Sequence, residues 1–127
     1  MKALLLMAHG SPRPEANDDV RRVAALLRER GEYPIVVIGY LDCNQPDIPA
    51  AIDECVAAGA TLIAAVPYLL HSGKHFLLDM PALLDEGALR HPHVTILMAD
   101  YLGRAPQLAD VLRDRVGEAQ CRRSAAG

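Results

Sequence analysis

Three histidines and a carboxylate stand at places in this sequence where reactive side chains can gather. His9 lies in AHGS, Asp42 in YLDC, and His71 and His75 in the run LLHSGKH. Neutral imidazole is a good ligand for divalent Co, Ni, Fe or Zn, and a carboxylate can add a third donor while leaving coordination positions open. Imidazole also titrates near neutral pH, so the same residues can accept protons as a metal moves. Gly10 and Ser11 beside His9, and Gly73 and Lys74 beside His75, add exposed amides, a hydroxyl and a cation that could meet an anionic ligand.

The elements around these residues predict that they share one edge. Lys2–Ala8 is an almost continuous apolar run ending at His9, as expected for a strand buried on both faces. Val20, Val23, Ala24 and Leu27 follow at helical spacing, with Gly31 placed to end that helix. Ile35–Leu41 is a second, β-branched strand running into Asp42. Asp47 and Pro49 then open a helix with Ile48, Ile52, Cys55 and Val56 on its apolar face, and Gly59 closes it. Thr61–Val66 is a third strand, followed by the loop PYLLHSGKH. A third helix is predicted around Pro81–Leu89, with Asp79 as its cap. Val94–Ala99 is a fourth strand, and Leu108, Val111, Leu112 and Val116 mark a last helix. The order βαβαβαβα predicts a doubly wound parallel sheet of four strands with helices on both faces, of the flavodoxin-like kind. Such sheets bind ligands at the carboxyl ends of their strands. His9, Asp42 and the His71–His75 loop all fall there, whereas His91 and His93 precede the fourth strand and read as a solvated turn.

The chain has 127 residues, 51% of them hydrophobic and 23% charged, with a net charge of -3. These values predict one domain over residues 1–119 and a disordered tail over 120–127. Mild acidity gives no general attraction to nucleic acid or to an anionic membrane. The apolar run at the amino end is short for a signal peptide, and no segment reaches the ~18 apolar residues of a membrane span. Three cysteines without CxxC spacing predict reduced thiols in a cytoplasmic protein.

Each residue also has a plainer role. A histidine at a strand end can be a polar cap, and His71 reads better as a loop residue than as a third ligand. Asp42 can bond its own backbone in a turn. Cys43 reads as a small buried hydrophobe. Arg13 and Lys74 can be solvated charges, and no GxGxxG or P-loop lysine is present.

The same residues carry a resemblance. AHGSPRPEAN is similar to the HGSR-x(n)-N opening of the short-form sirohydrochlorin chelatases. YLDCNQPDIPAAI resembles their FLExxxPxixxAi segment, and VPYLLHSGKHFLLDMP their vPyfLxxGxHvxxDiP block; a weaker match continues through Leu102–Pro106. The resemblance implies a class II chelatase that inserts a divalent metal, cobalt first among candidates with Ni2+ or Fe2+ as alternatives, into sirohydrochlorin without ATP or a permanent cofactor. It implies that a homodimer completes the cleft, and that His9 and His75 are the metal-binding, catalytic pair. Asp42 falls where the family usually has Glu, which keeps the charge and shortens the reach by one methylene. Pro12 stands where the motif has Arg, with Arg13 next to it.

Within that reading Gly10, Ser11, Arg13, Leu70, Gly73 and Lys74 are candidate substrate contacts, and Leu69 and Phe76 could face the macrocycle. Two other readings remain open. A histidine phosphatase also places His-Gly after its first strand, but with a phosphate-clamping Arg where this chain has Ala8. A flavodoxin-like module that binds metal or tetrapyrrole without catalysis would show the same residues.

Overall fold

The computed structural model describes residues 1–126, with the backbone alone described for His75 and residues 124–126. Its centre is β1 (Lys2–Ala8), whose buried run makes it an inner strand with both faces covered. β2 (Ile35–Tyr40) and β3 (Leu62–Pro67) flank it, and β4 (Thr95–Met98) pairs with β3 at the edge. The order is β2-β1-β3-β4, and every pairing is parallel. Each predicted strand is present, with bounds shifted by one residue at most.

Strand alternation splits the core into two layers. Ala3, Leu5, Met7, Ile63 and Ala65 pack against Ile48, Ile52 and Cys55 of α2 (Ile48–Ala57) and Met80 and Leu84 of α3 (Lys74–Arg90). On the opposite face, Leu4, Leu6, Ala8 and Val36 meet Val20 and Ala24 of α1 (Asp18–Arg30). Helices therefore cover both faces, as the strand–helix alternation predicts.

Local chemistry sets the helix ends. Gly31 ends α1 in the left-handed region at φ 70°, its N–H bonding the carbonyls of Leu27 and Arg28. Asp47 caps α2 by accepting from the Ala50 amide at 2.9 Å, with Pro49 in the first turn.

The third helix departs from expectation. α3 begins at Lys74 rather than near Pro81, with Gly73 preceding it, so Pro81 and Asp79 both lie inside the helix. Pro81 removes one backbone donor, but Phe76, Met80 and Leu84 recur at four-residue spacing and all pack against the sheet. Burial of that stripe carries the helix through the proline. The end of the presumed loop, Lys74 and His75, is thus the first turn of α3.

α4 (Gln107–Ala126) is helical through most of the segment read as a tail. Its apolar residues face outward: Leu112 is 67% exposed and Val116 58%. No described helix is long and apolar enough to cross a membrane.

Candidate functional site

Past the strand ends the backbone ladder continues for two more rungs. Leu41 N donates to Ala8 O at 2.8 Å, and Asp42 N to His9 O at 3.0 Å. His9 and Asp42 are thereby set side by side at the carboxyl edge of the sheet. Gly10 makes this closeness possible. At φ 89° it occupies a conformation that disfavours other residues, and a Cβ there would overlap the carbonyl oxygen of Asp42. Ser11 N donates to Asn44 Oδ1 at 2.7 Å, and Ser11 Oγ accepts from Arg13 N at 3.1 Å. The turn after β1 is thus fixed from both flanks.

His9 opens onto a cavity of about 530 Å3 that it lines with Leu41, Asp42, Asp79, Leu83 and Glu86. Asp79 and Glu86 are seven residues apart on α3, two turns, which places them on the same helical face. One imidazole therefore faces three carboxylates across an open space, with Leu41 and Leu83 as apolar wall. Carboxylates and imidazole suit a hydrated divalent ion held loosely enough to leave again. Among the described residues, no three His, Cys, Asp or Glu side chains close into a ready coordination shell. The imidazole packs edge-on against Phe76 from the first turn of α3, with ring centroids 5.6 Å apart. His9 also borders a second cavity of about 280 Å3 on the α1 side, lined by Gly10, Ser11, Asn17, Asp19 and Tyr68.

The remaining residues singled out from the sequence divide clearly. His75 lies in the first turn of α3, close in sequence to Phe76, and its side chain falls outside the described residues. Asp42 lines the cavity, and its Oδ1 also accepts from the Cys43 amide at 2.8 Å, so the turn-forming role and the cavity-facing position coexist. His71 is exposed and borders a separate cleft of about 50 Å3 with Phe76 and Tyr101, apart from His9. Leu70 is 66% exposed, and Lys74 is exposed at the start of α3. Gly73 precedes that helix in an extended conformation. Arg13 is exposed and ion-paired with Glu15 at 3.0 Å, and this partner holds the Glu15 carboxyl below its usual range after a backbone hydrogen bond as the larger cause.

Two expectations need correction. Cys43 is exposed, with φ 66°, because the turn that carries it projects from the strand end rather than folding into the core. The buried thiol is Cys55, whose pKa burial pushes up to about 11, with Glu54 adding to the effect. Cys55 lies in the core with α2, away from the cavity that His9 lines. His91 is not a freely solvated turn residue. Its Nε2 lies 2.7 Å from Asp53 Oδ1, and Arg90 Nη1 donates to both oxygens of the same carboxylate at 2.8 and 3.0 Å. These contacts tie the end of α3 to α2.

Three residues in these cavities escaped the sequence reading. Glu86 lies within the helix predicted from the sequence and Asp79 was assigned as its cap, so the late start hid only that the two share one face of a longer helix. Asn17 was visible in the stretch AHGSPRPEAN but had no chemistry attached to it.

A parallel sheet in the order β2-β1-β3-β4, with an imidazole and carboxylates at its carboxyl edge over an open cavity, makes this an open α/β protein with its candidate site at the strand ends. The chain belongs to the CbiX family, whose model matches residues 3–119. It is 40% identical over 84 residues to a sirohydrochlorin cobaltochelatase of Methanococcus aeolicus, an alignment covering 66% of this chain and 59% of that one. It is 32% identical to a sirohydrochlorin cobaltochelatase of Methanothermobacter thermautotrophicus, covering 91% of each. The crystal structure of the sirohydrochlorin chelatase SirB from Bacillus subtilis subspecies spizizenii, in complex with cobalt, superposes with a TM-score of 0.84 at 26% identity. That match covers 92% of this chain and 50% of SirB. The matched region is thus 59% of the Methanococcus protein and half of SirB, but 91% of the Methanothermobacter protein.

Proposed function

We propose that this protein inserts a divalent metal, cobalt foremost, into sirohydrochlorin by an ATP-independent route in tetrapyrrole biosynthesis. The observation that carries the reading is His9, set at the end of β1 beside Asp42 and facing a cavity edged by Asp79 and Glu86. Membership of the CbiX family and the cobaltochelatase names of its relatives support the substrate and the metal.

The chemistry follows from those groups. The hydrated ion is the substrate, and His9 with His75 of the first turn of α3 holds it, Asp42 standing by as a third donor. The free macrocycle carries two inner N–H protons that must leave as the metal enters, and neutral imidazole is suited to accept them. The carboxylates of Asp79 and Glu86 lower the cost of bringing a dication to the cavity. The Gly10 amide and the Ser11 hydroxyl, with Arg13 and Lys74, are our candidate contacts for acid groups of the macrocycle. We place this activity in the cytoplasm and the working fold in a single domain over residues 1–119.

We further propose that it works as a homodimer. The chain exposes 8115 Å2 of accessible surface for 13.7 kDa. A compact monomer of that mass exposes about 6,600 Å2. The excess is more than the ~800 Å2 that each partner gives to a standard interface. It coincides with the outward apolar residues of α4 and with Leu97 of β4, which is 54% exposed.

The test is a competition assay in which purified protein receives sirohydrochlorin with cobalt, nickel or iron, followed by absorbance. Accelerated insertion, fastest for cobalt, is expected. Binding of metal or macrocycle without acceleration would instead identify a carrier module, and a phosphohistidine at His9 after incubation with a phosphate ester would identify a phosphoryl-transfer enzyme.

A further inference from the structure

Asn17 is 4% exposed, and it is the polar residue among the buried set of the described residues. Its Nδ2 is buried and has no hydrogen-bond partner among them. Asparagine at this place, immediately before α1, ordinarily turns its side chain onto the first amides of the helix. Here the residue sits at φ -93°, ψ -1°, and makes no side-chain cap bond. The usual structural reason for asparagine at a helix start is therefore missing. An unpaired buried donor costs the desolvation of the group, and native proteins keep few of them.

What Asn17 does have is a cavity. It lines the space of about 280 Å3 on the α1 side of His9, together with Gly10, Ser11 and Tyr68. His9 is the residue common to this cavity and to the larger one that holds Asp42, Asp79 and Glu86. A ligand centred on the His9 imidazole over the larger cavity can therefore send a side arm into the smaller one. The smaller cavity has about half the volume of the larger, which suits an acid arm and not the macrocycle. Its one ionised wall residue, Asp19, is paired with Arg22 at 3.2 Å.

Resting on the proposed function, we infer that the Asn17 cavity is the seat of one peripheral carboxylate of the tetrapyrrole, with Asn17 Nδ2 as its donor. The χ2 torsion of asparagine is soft, so a small turn of the carboxamide presents the N–H to an entering oxygen. The donor has no protein partner among the described residues and gains a ligand oxygen as partner in the complex. Asn17 then acts in recognition of the macrocycle and its orientation over His9, with no part in holding the metal.

The experiment measures the affinity of the full chain for metal-free sirohydrochlorin by its fluorescence, and for Co2+ by calorimetry. Asn17→Leu keeps the branched outline of the side chain but removes the donor, and Asn17→Ser leaves a smaller hydroxyl donor without adding bulk. Both should weaken macrocycle binding, Leu by about tenfold or more and Ser by less, since a hydrogen bond to a carboxylate is lost. Cobalt affinity should be unchanged, and the Tm of the free Ser variant should stay close to that of the wild type, because Asn17 Nδ2 has no protein partner to lose. Variants that bind the macrocycle within twofold of a binding wild type would overturn this subsite alone. So would affinity losses that follow a fall in Tm. A wild type that does not bind sirohydrochlorin would overturn the proposed function and the subsite together.

Discussion

The His9 imidazole stands edge-on to the Phe76 ring, with centroids 5.6 Å apart and planes inclined by 72°. Phe76 packs against the core from the first turn of α3, so this contact joins the end of β1 to the helix that carries His75. An edge-to-face pair adds about 0.5–1.5 kcal/mol beyond simple burial and restricts ring orientation. Phe76→Leu should keep the fold, with a loss of about 1 kcal/mol in chemical denaturation, while slowing cobalt insertion several-fold at saturating metal. An unchanged insertion rate would show that the ring does not orient His9.

Gly10 tests whether the turn after β1 must be as tight as it is. Its φ of 89° and the overlap of any Cβ with the Asp42 carbonyl oxygen act together. Gly10→Ala should cost about 2–3 kcal/mol and separate His9 from Asp42, with insertion falling by more than tenfold. Denaturant titration and the insertion assay read the two effects separately.

Asp53 links α2 to the end of α3, and its carboxyl is held below the usual range, first by the hydrogen bond from His91 and then by Arg90. A lowered folded-state pKa gives stability that is complete above the unfolded value, near 3.9, and is lost as pH falls through the folded value. Because the pair is half exposed, the effect should stay under about 1 kcal/mol. The Tm difference between wild type and Asp53→Asn should shrink as the solution is made more acid than about pH 4. A difference that grows with acid would contradict the assignment.

α4 supplies a prediction about assembly. Leu112→Glu combined with Val116→Glu should convert a dimer into a monomer in light scattering at micromolar concentration, because a charge buried without a partner is costly. A wild type that is already monomeric would remove the homodimer from the account.

The fold was legible because its signals are local and redundant. The almost continuous apolar run Lys2–Ala8 reads as an inner strand by its shortness and its stop at His9-Gly10, and Asp47 with Pro49 and Gly31 mark helix ends by their own backbone chemistry. The start of α3 was not legible in the same way. Pro81 gives a strong local stop signal, and only the burial of Phe76, Met80 and Leu84 against a sheet formed elsewhere overrides it. That misplacement also concealed that Asp79, assigned as a cap, shares a helical face with Glu86. Asn17 was illegible for another reason. Its meaning lies in a hydrogen bond that is not made, which a sequence cannot display. His9 and Asp42 were legible as neighbours because parallel strands bring their carboxyl ends together.

The central claim is that His9 and His75 hold the metal and take up the protons of the macrocycle. Cobalt insertion into sirohydrochlorin by His9→Ala and His75→Ala, each confirmed folded by circular dichroism, tests it most directly. Loss of at least about a hundredfold in rate is predicted for each, the scale of losing a positioned proton acceptor. Both variants inserting cobalt within twofold of the wild-type rate would contradict the account.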